Sequence, residues 1–252
     1  MIKTQNKLFA FLLLLPLSVF SDDASGVKER NYRIDIGYHK HQFDGLDMDA
    51  YSTVLSGSAF FPVYKYLGSS ISLGGFSAKL DNYDYYAQTK GHFIDGSVFV
   101  RDKSIGKLGI GVGYDKSKTK IEPINTNIFL MQSSATNTSK KYSLYGSYYL
   151  NNFTFNFNRN ILKSDGGFNT NILGVGASYY IEKNTLIGIG KLYMDSPNKY
   201  SVNIVHQPYL FNNSIDIHLA YADDDYGNTI SFYVNYHFQT QVSLKTRNRE
   251  YQ

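Results

Sequence analysis

The chain has 252 residues, room for one large all-β domain or two small domains. Charged residues are 18% and aromatics 16%, with Tyr 23, Phe 17 and Trp 0, too little charge and too much tyrosine for an ordinary water-soluble β-sandwich. Setting aside Lys3 and Lys7 leaves 23 basic against 21 acidic residues, a balance that argues against a nucleic-acid partner, and the absence of cysteine excludes disulfides, thiolate metal sites and cysteine nucleophiles.

Residues 1–21 have the form of a secretory signal peptide. Lys3 and Lys7 make a positive start, Leu8 to Phe20 a short apolar run interrupted by Pro16, and Val19 and Ser21 the small-residue cleavage positions. The alternative is an N-terminal anchor helix; no Cys follows that would carry a lipid. Residues 22–30 then read as a periplasmic lead-in. No later apolar run reaches the ~18 residues of a spanning helix.

From residue 31 onward, side chains alternate in character along twelve segments: 31–40, 50–60, 69–80, 91–101, 107–116, 141–150, 153–161, 170–181, 185–194, 199–207, 214–222 and 229–238. Alternation at period two is the mark of a strand with two unlike faces. Most segments are about ten residues long, the length a tilted strand needs to cross a bilayer. Segment three slips parity between Leu73 and Phe76 at "GG", which predicts a bulge. Segment seven puts Arg159 in the row of Phe153, Phe155 and Phe157, which predicts a bulge or an arginine snorkelling at the membrane surface.

Links after even segments are short, as in "DKSIG", "NN", "EKN" and "FNN"; "FPVYKYLG" is the longest of that class. Links after odd segments are often longer and more polar, above all 117–139, although "DSPN" and "DDDYGN" are short. Tight turns on one side and longer loops on the other fit an up-and-down transmembrane barrel. The apolar cluster "NIFLMQ", 127–132, sits inside the longest link, which is expected either to fold into the barrel mouth or to top an extended hairpin.

One parity of each segment is aliphatic with Tyr at its ends, as in Tyr32, Ile34, Ile36 and Tyr38. This is an apolar band between aromatic girdles. The other parity is assigned to the lumen, with Arg33, Asp35, Asp95, Arg101, Asp115, Lys191, Asp216, His218 and His237 among small Gly, Ser and Asn residues. Lipid forbids an open sheet edge, so the fold class is all-β: one closed antiparallel barrel of about twelve strands over 31–238.

The last segment, "ISFYVNYHF", is similar to the closing strand of bacterial outer-membrane β-barrel proteins, with Tyr236 two positions before a final Phe238. The resemblance is to the class, porin-like in pattern, with no subfamily matched. It implies export to the outer membrane of a diderm bacterium, contact with outer-membrane lipids, and recognition of Tyr236 and Phe238 by the barrel assembly machinery. The chain departs from the class by continuing through 239–252, with Lys245, Arg247 and Arg249, a polar periplasmic tail.

Three functions compete. The first is a passive channel for small solutes, against which stands a lumen plugged by its own ion pairs. The second is an outer-membrane hydrolase acting on lipid or peptide: Asp216, His218 and Ser231 share the inward parity of adjacent strands, the types a nucleophile–base–orienter set needs. The third is a surface interaction or structural barrel. No cofactor or metal is implied. His39 and His41 lack further ligands in sequence, and the acidic run Asp223–Asp225 reads as a solvated turn.

Overall fold

A computed structural model describes residues 29–252 apart from 45–47, 82–84, 124–132, 168, 195–198 and 239–241. The signal-peptide segment and the "NIFLMQ" cluster lie outside the described residues. Twelve strands follow one another: β1 (Asn31–Phe43), β2 (Asp49–Tyr64), β3 (Leu67–Asp81), β4 (Tyr85–Asp102), β5 (Gly106–Pro123), β6 (Ser133–Leu150), β7 (Phe153–Ser164), β8 (Asn169–Glu182), β9 (Thr185–Tyr193), β10 (Lys199–His206), β11 (Ile215–Asp224) and β12 (Gly227–Phe238). Each pairs antiparallel with its sequence neighbours, and β1 closes on β12 from Tyr32↔Phe238 to Phe43↔Gly227.

The outer surface confirms the alternation argument. Ile36, Leu55, Leu73, Ile110, Val112 and Ile189 are each 58% exposed or more. So much exposed aliphatic surface belongs against acyl chains. Tyr32, Tyr38, Tyr142, Tyr148 and Tyr200 stand exposed on the same face.

The strands outrun the segments read from sequence. β5 and β6 are 18 residues each and stay paired to Ile121↔Ser133. Most of 117–139 is therefore hairpin rather than loop. On β5 the outward row changes from Leu108, Ile110, Val112 and Tyr114 to Lys116, Lys118 and Lys120, so the hairpin continues past the apolar band. Likewise "FPVYKYLG" is mostly strand, and the β2–β3 turn is only Lys65–Tyr66.

Two expectations are corrected. No bulge interrupts β3 at Gly74–Gly75, which pair in continuous register with both neighbours. Phe76 instead turns inward opposite Val54, and the apolar row simply ends at Leu73. Register shifts between described residues fall at Pro62/Tyr64 and Tyr180/Glu182, near turns, the first where proline cannot donate to the ladder. The "FNN" turn is in fact the eight-residue link 207–214, with a 3-10 turn at Tyr209–Phe211 followed by Asn212 and Asn213 at φ of 48° and 58°. Asparagine tolerates that left-handed region better than most residues. Arg159 needs no bulge: β7 is in register, and its Nε donates outward to Asn171 Oδ1 at 3.1 Å.

Phe76 and Phe93 fit inside because Gly91 and Gly74 stand directly across from them. A Cβ at Gly74 would lie 2.6 Å from the Leu55 carbonyl oxygen and 2.7 Å from the Phe93 ring. At Gly96 the nearest atom would be 4.0 Å away. Gly74→Val is therefore expected to destabilise the detergent-folded barrel by about 1–3 kcal/mol, and Gly96→Ala by less than about 0.5 kcal/mol. Urea titration followed by heat-modifiable gel mobility measures both.

Candidate functional site

The lumen is lopsided. On the β2–β6 side the inward row holds Phe60, Phe76, Phe93, Phe99 and Tyr145. On the β7–β10 side most of it is small or polar, with Thr154, Asn156, Gly174, Gly176, Ser178, Gly188, Gly190, Ser201 and Asn203, and the larger Tyr180, Leu186 and Val205 gather at the short-turn end. Free volume consequently collects on the second side. A cavity of about 260 Å³ there is lined by Ser147, Thr154, Asn156, Ser178, Lys107 and Gln252, among others.

One end of the lumen is covered by the chain itself. The tail is not a free extension. Val242–Gln252 folds across the mouth bearing the short turns, as one helical turn, Leu244–Thr246, running into a π turn, Arg247–Tyr251. Ser243 caps the first turn, accepting from Thr246 N–H. Leu244 is buried against Tyr180, Leu186 and Val205. Burying one leucine contributes about 1.5–3 kcal/mol.

The rest of the seat is polar. Arg247 Nη2 donates to the Asn213 carbonyl at 2.5 Å, Arg249 Nη2 to the Asn151 carbonyl at 2.7 Å, and Lys245 Nζ to Asn152 Oδ1 at 2.8 Å. Asn184, fully buried in the β8–β9 turn, accepts from Leu244 N–H and donates to Asn213 Oδ1. Tight turns leave carbonyls unused by the ladder, and the tail's cations take them. Burial pulls the Arg247 guanidinium down to about 10, so it stays charged at neutral pH. Burial pushes the Tyr251 phenol up, and the phenol stays neutral there.

Of the nine residues assigned to the lumen, eight face inward. Arg33 Nε pairs with Asp35 at 2.6 Å, and Asp95 with Lys141 at 2.7 Å. Asp115 stands opposite Phe93 and Ser139. Asp216 is buried and accepts from His218 at 2.6 Å, His237 at 2.5 Å and Asn235 at 2.7 Å. These contacts fasten β11 to β12 beside the closing seam. Arg101 faces in, and among the described residues no carboxylate pairs with it. The ninth, Lys191, faces out: it stands opposite Val175 and Tyr200 in the exposed row and bonds Tyr200 Oη at 2.8 Å, its ammonium 4.6 Å from the Tyr193 and Tyr200 rings. It snorkels along the aromatic girdle.

Several inward groups went unread. Lys107 shares the parity of Gly109, Gly111 and Gly113, so its orientation was legible. Lys141 and Lys199 likewise face in, the latter 3.6 Å from Asp224.

The hydrolase set does not assemble. Ser231 stands opposite Ala220, not His218, and its Oγ bonds His39 Nδ1 at 2.8 Å. The other His39 nitrogen meets Tyr233 Oη at 2.9 Å rather than a carboxylate. His41 bonds Thr229 at 2.9 Å. The acidic run divides, Asp224 turning inward and Asp223 outward. Tyr236 and Phe238 lie on the outward face of the seam, opposite Ile34 and Tyr32.

No family model matches the chain, and no curated protein matches it in sequence. Solved structures do. The translocator domain of the autotransporter NalP from Neisseria meningitidis matches at TM-score 0.66 and 12% identity, over 93% of this chain and 94% of that one. An outer-membrane channel from Pseudomonas putida F1 matches at TM-score 0.63 and 8% identity, over 88% and 100%. The KdgM porin, in a complex with disordered oligogalacturonate, matches at TM-score 0.54 and 12% identity, over 80% and 98%. Translocators and channels share this architecture, and at such identity the likeness concerns the fold alone. The chain has the fold of the bacterial outer-membrane β-barrel proteins, here with twelve strands, a closed seam and its own C-terminal segment across one mouth.

Proposed function

We propose that the protein is a small-solute channel of the bacterial outer membrane whose short-turn mouth is covered by its own tail. On this reading, residues 1–21 are removed on export, the barrel assembly machinery recognises Tyr236 and Phe238, and the short-turn mouth faces the periplasm. The observation that carries it is the lopsided lumen. Glycine, serine and asparagine line one wall, where a plugged barrel would place interlocking bulky side chains. The segment that crosses the mouth is a tail held by scattered bonds and one buried leucine, not a strand of the barrel. The likeness to the KdgM porin and the Pseudomonas putida channel agrees with this and adds no solute.

Single-channel recording in planar bilayers tests the reading. The full-length protein is expected to show small or intermittent steps. A variant lacking 242–252 is expected to give steady ohmic steps of larger size. Leu244→Asp, which buries a charge among Tyr180, Leu186 and Val205, is expected to unseat the tail and resemble the deletion. If the deletion variant refolds to a heat-modifiable barrel and still carries no current, the lumen is plugged by its side chains and the channel reading fails.

A further inference from the structure

On one sector of the barrel the outward rows run past the tyrosine girdle and turn basic. On β5, Tyr114 is followed by Lys116, Lys118 and Lys120, and on β6 Tyr142 is preceded by Lys140. β4 adds Lys90 and β7 adds Lys163 on the same face. All six lysines are exposed. On the long-loop side of the girdle, the outward rows of these four strands carry one carboxylate among the described residues, Glu122 near the end of β5, and the turn after β7 adds Asp165.

The register sets these lysines against one another. Lys118 stands directly opposite Lys90, and Lys163 directly opposite Lys140. Directly opposed side chains have Cβ atoms about 4.5–5.5 Å apart, and like charges so placed destabilise a sheet. Among the described residues none of the six forms an ion pair. Lys163 Nζ lies 5.7 Å from the Tyr142 ring, a contact that orients an ammonium without neutralising it. Elsewhere on the circumference the outward face differs. Lys40 of β1 is paired with Asp49 at 3.0 Å, and beyond Tyr221 the outward row of β11 continues with Asp223. The unbalanced charge is confined to one sector, whereas a surface built only for solubility intersperses both signs.

Its height is set by the girdle. Lys116 and Lys140 each stand two residues from a girdle tyrosine, roughly 7 Å along the strand. Girdle tyrosines sit at headgroup level, so these ammoniums reach the layer that holds lipid phosphates.

We infer that the outward face of β4–β7 beyond the girdle is a docking surface for the phosphates of membrane-lipid headgroups, with one phosphate to each opposed lysine pair. A phosphate between two ammoniums supplies the counter-charge that each pair lacks, through charge-assisted hydrogen bonds. Lys118 faces Thr136, four residues along β6 from Lys140, so the two pairs lie roughly 13 Å apart along the ladder and take separate phosphates. A headgroup with two phosphates engages both pairs at once. The inference requires the barrel to lie in a membrane; it does not require the lumen to conduct.

Native mass spectrometry of the full-length barrel in detergent provides the test. The probe is lipid A, an acylated disaccharide with two phosphates, and lipid A stripped of both phosphates is its control. Each lysine near a membrane surface is worth about fivefold in affinity. Lys90→Gln/Lys118→Gln and Lys140→Gln/Lys163→Gln are therefore each expected to weaken lipid A binding about 25-fold, and the corresponding lysine-to-arginine variants to retain it. Lys65→Gln/Lys103→Gln, the same change of charge at the short-turn rim, is expected to leave binding unchanged. Inorganic phosphate in excess is expected not to compete. In the unmutated chain, lipid A is expected to shield Lys118 and Lys140 from a water-soluble acetylating reagent and to leave Lys103 reactive, a readout that needs no variant to fold. Equal binding of the dephosphorylated lipid, an equal loss in Lys65→Gln/Lys103→Gln, or full competition by inorganic phosphate overturns the surface. So does tighter binding of heparin, which would make the face a polysaccharide site. Phosphate-dependent lipid binding with no current from the tail-deleted barrel keeps the surface and loses the channel. Steady current without that binding keeps the channel and loses the surface.

Discussion

Everything in this fold follows from one requirement: a backbone facing hydrocarbon must satisfy its N–H and C=O groups within the sheet. Each unsatisfied pair would cost several kcal/mol in lipid, so the sheet has to close. The twelve-rung seam between β1 and β12 meets that need over nearly the whole length of both strands. Closure then fixes which parity meets lipid on every strand, because one register slip would turn a whole row of side chains to the wrong face. The outward rows have little freedom. The inward rows are where the sequence is free to differ.

That freedom has been used unevenly around the lumen. Aromatic residues stand on the β2–β6 side, where Phe76, Phe93, Phe99 and Tyr145 each have a glycine across the ladder. The β7–β10 side keeps its small residues and its space. The tail arrives on the open side. Its leucine packs on Tyr180, Leu186 and Val205 of β8, β9 and β10, and its cations reach carbonyls in the turns before β7 and β11. The eight-residue link 207–214, longer than the other short turns, contributes Asn213 twice, once through its carbonyl and once through its side chain.

The architecture was legible because period two survives along all twelve strands. Strand ends were not, because the hydrogen-bond ladder does not stop where the lipid does. Lys116, Lys118 and Lys120 continue the β5 ladder in polar surroundings, and their alternation of charge with small polar residues reads as loop. The predicted bulge at Gly74–Gly75 arose from treating every apolar residue as outward, whereas Phe76 belongs to the lumen's aromatic wall. Lys191 was misplaced by the converse rule, that charge means lumen. At the girdle a lysine among tyrosines serves equally well outside. The seat of the tail was beyond any periodicity argument. It depends on contacts such as Leu244 with Leu186 and Arg247 with Asn213, joined only once the cylinder has closed.

The way the tail is held bears on whether it can let go. It adds no strand to the sheet. Its attachments are one buried leucine, Tyr251 and a set of hydrogen bonds, each net about 0.5–1.5 kcal/mol. Against them stands the ordering of Val242–Gln252, at roughly 1–2 kcal/mol of backbone entropy per residue. Terms of similar size and opposite sign leave a seat of small margin. A strand in the ladder would have to surrender a row of cooperative bonds to move; the tail has only to give up scattered ones.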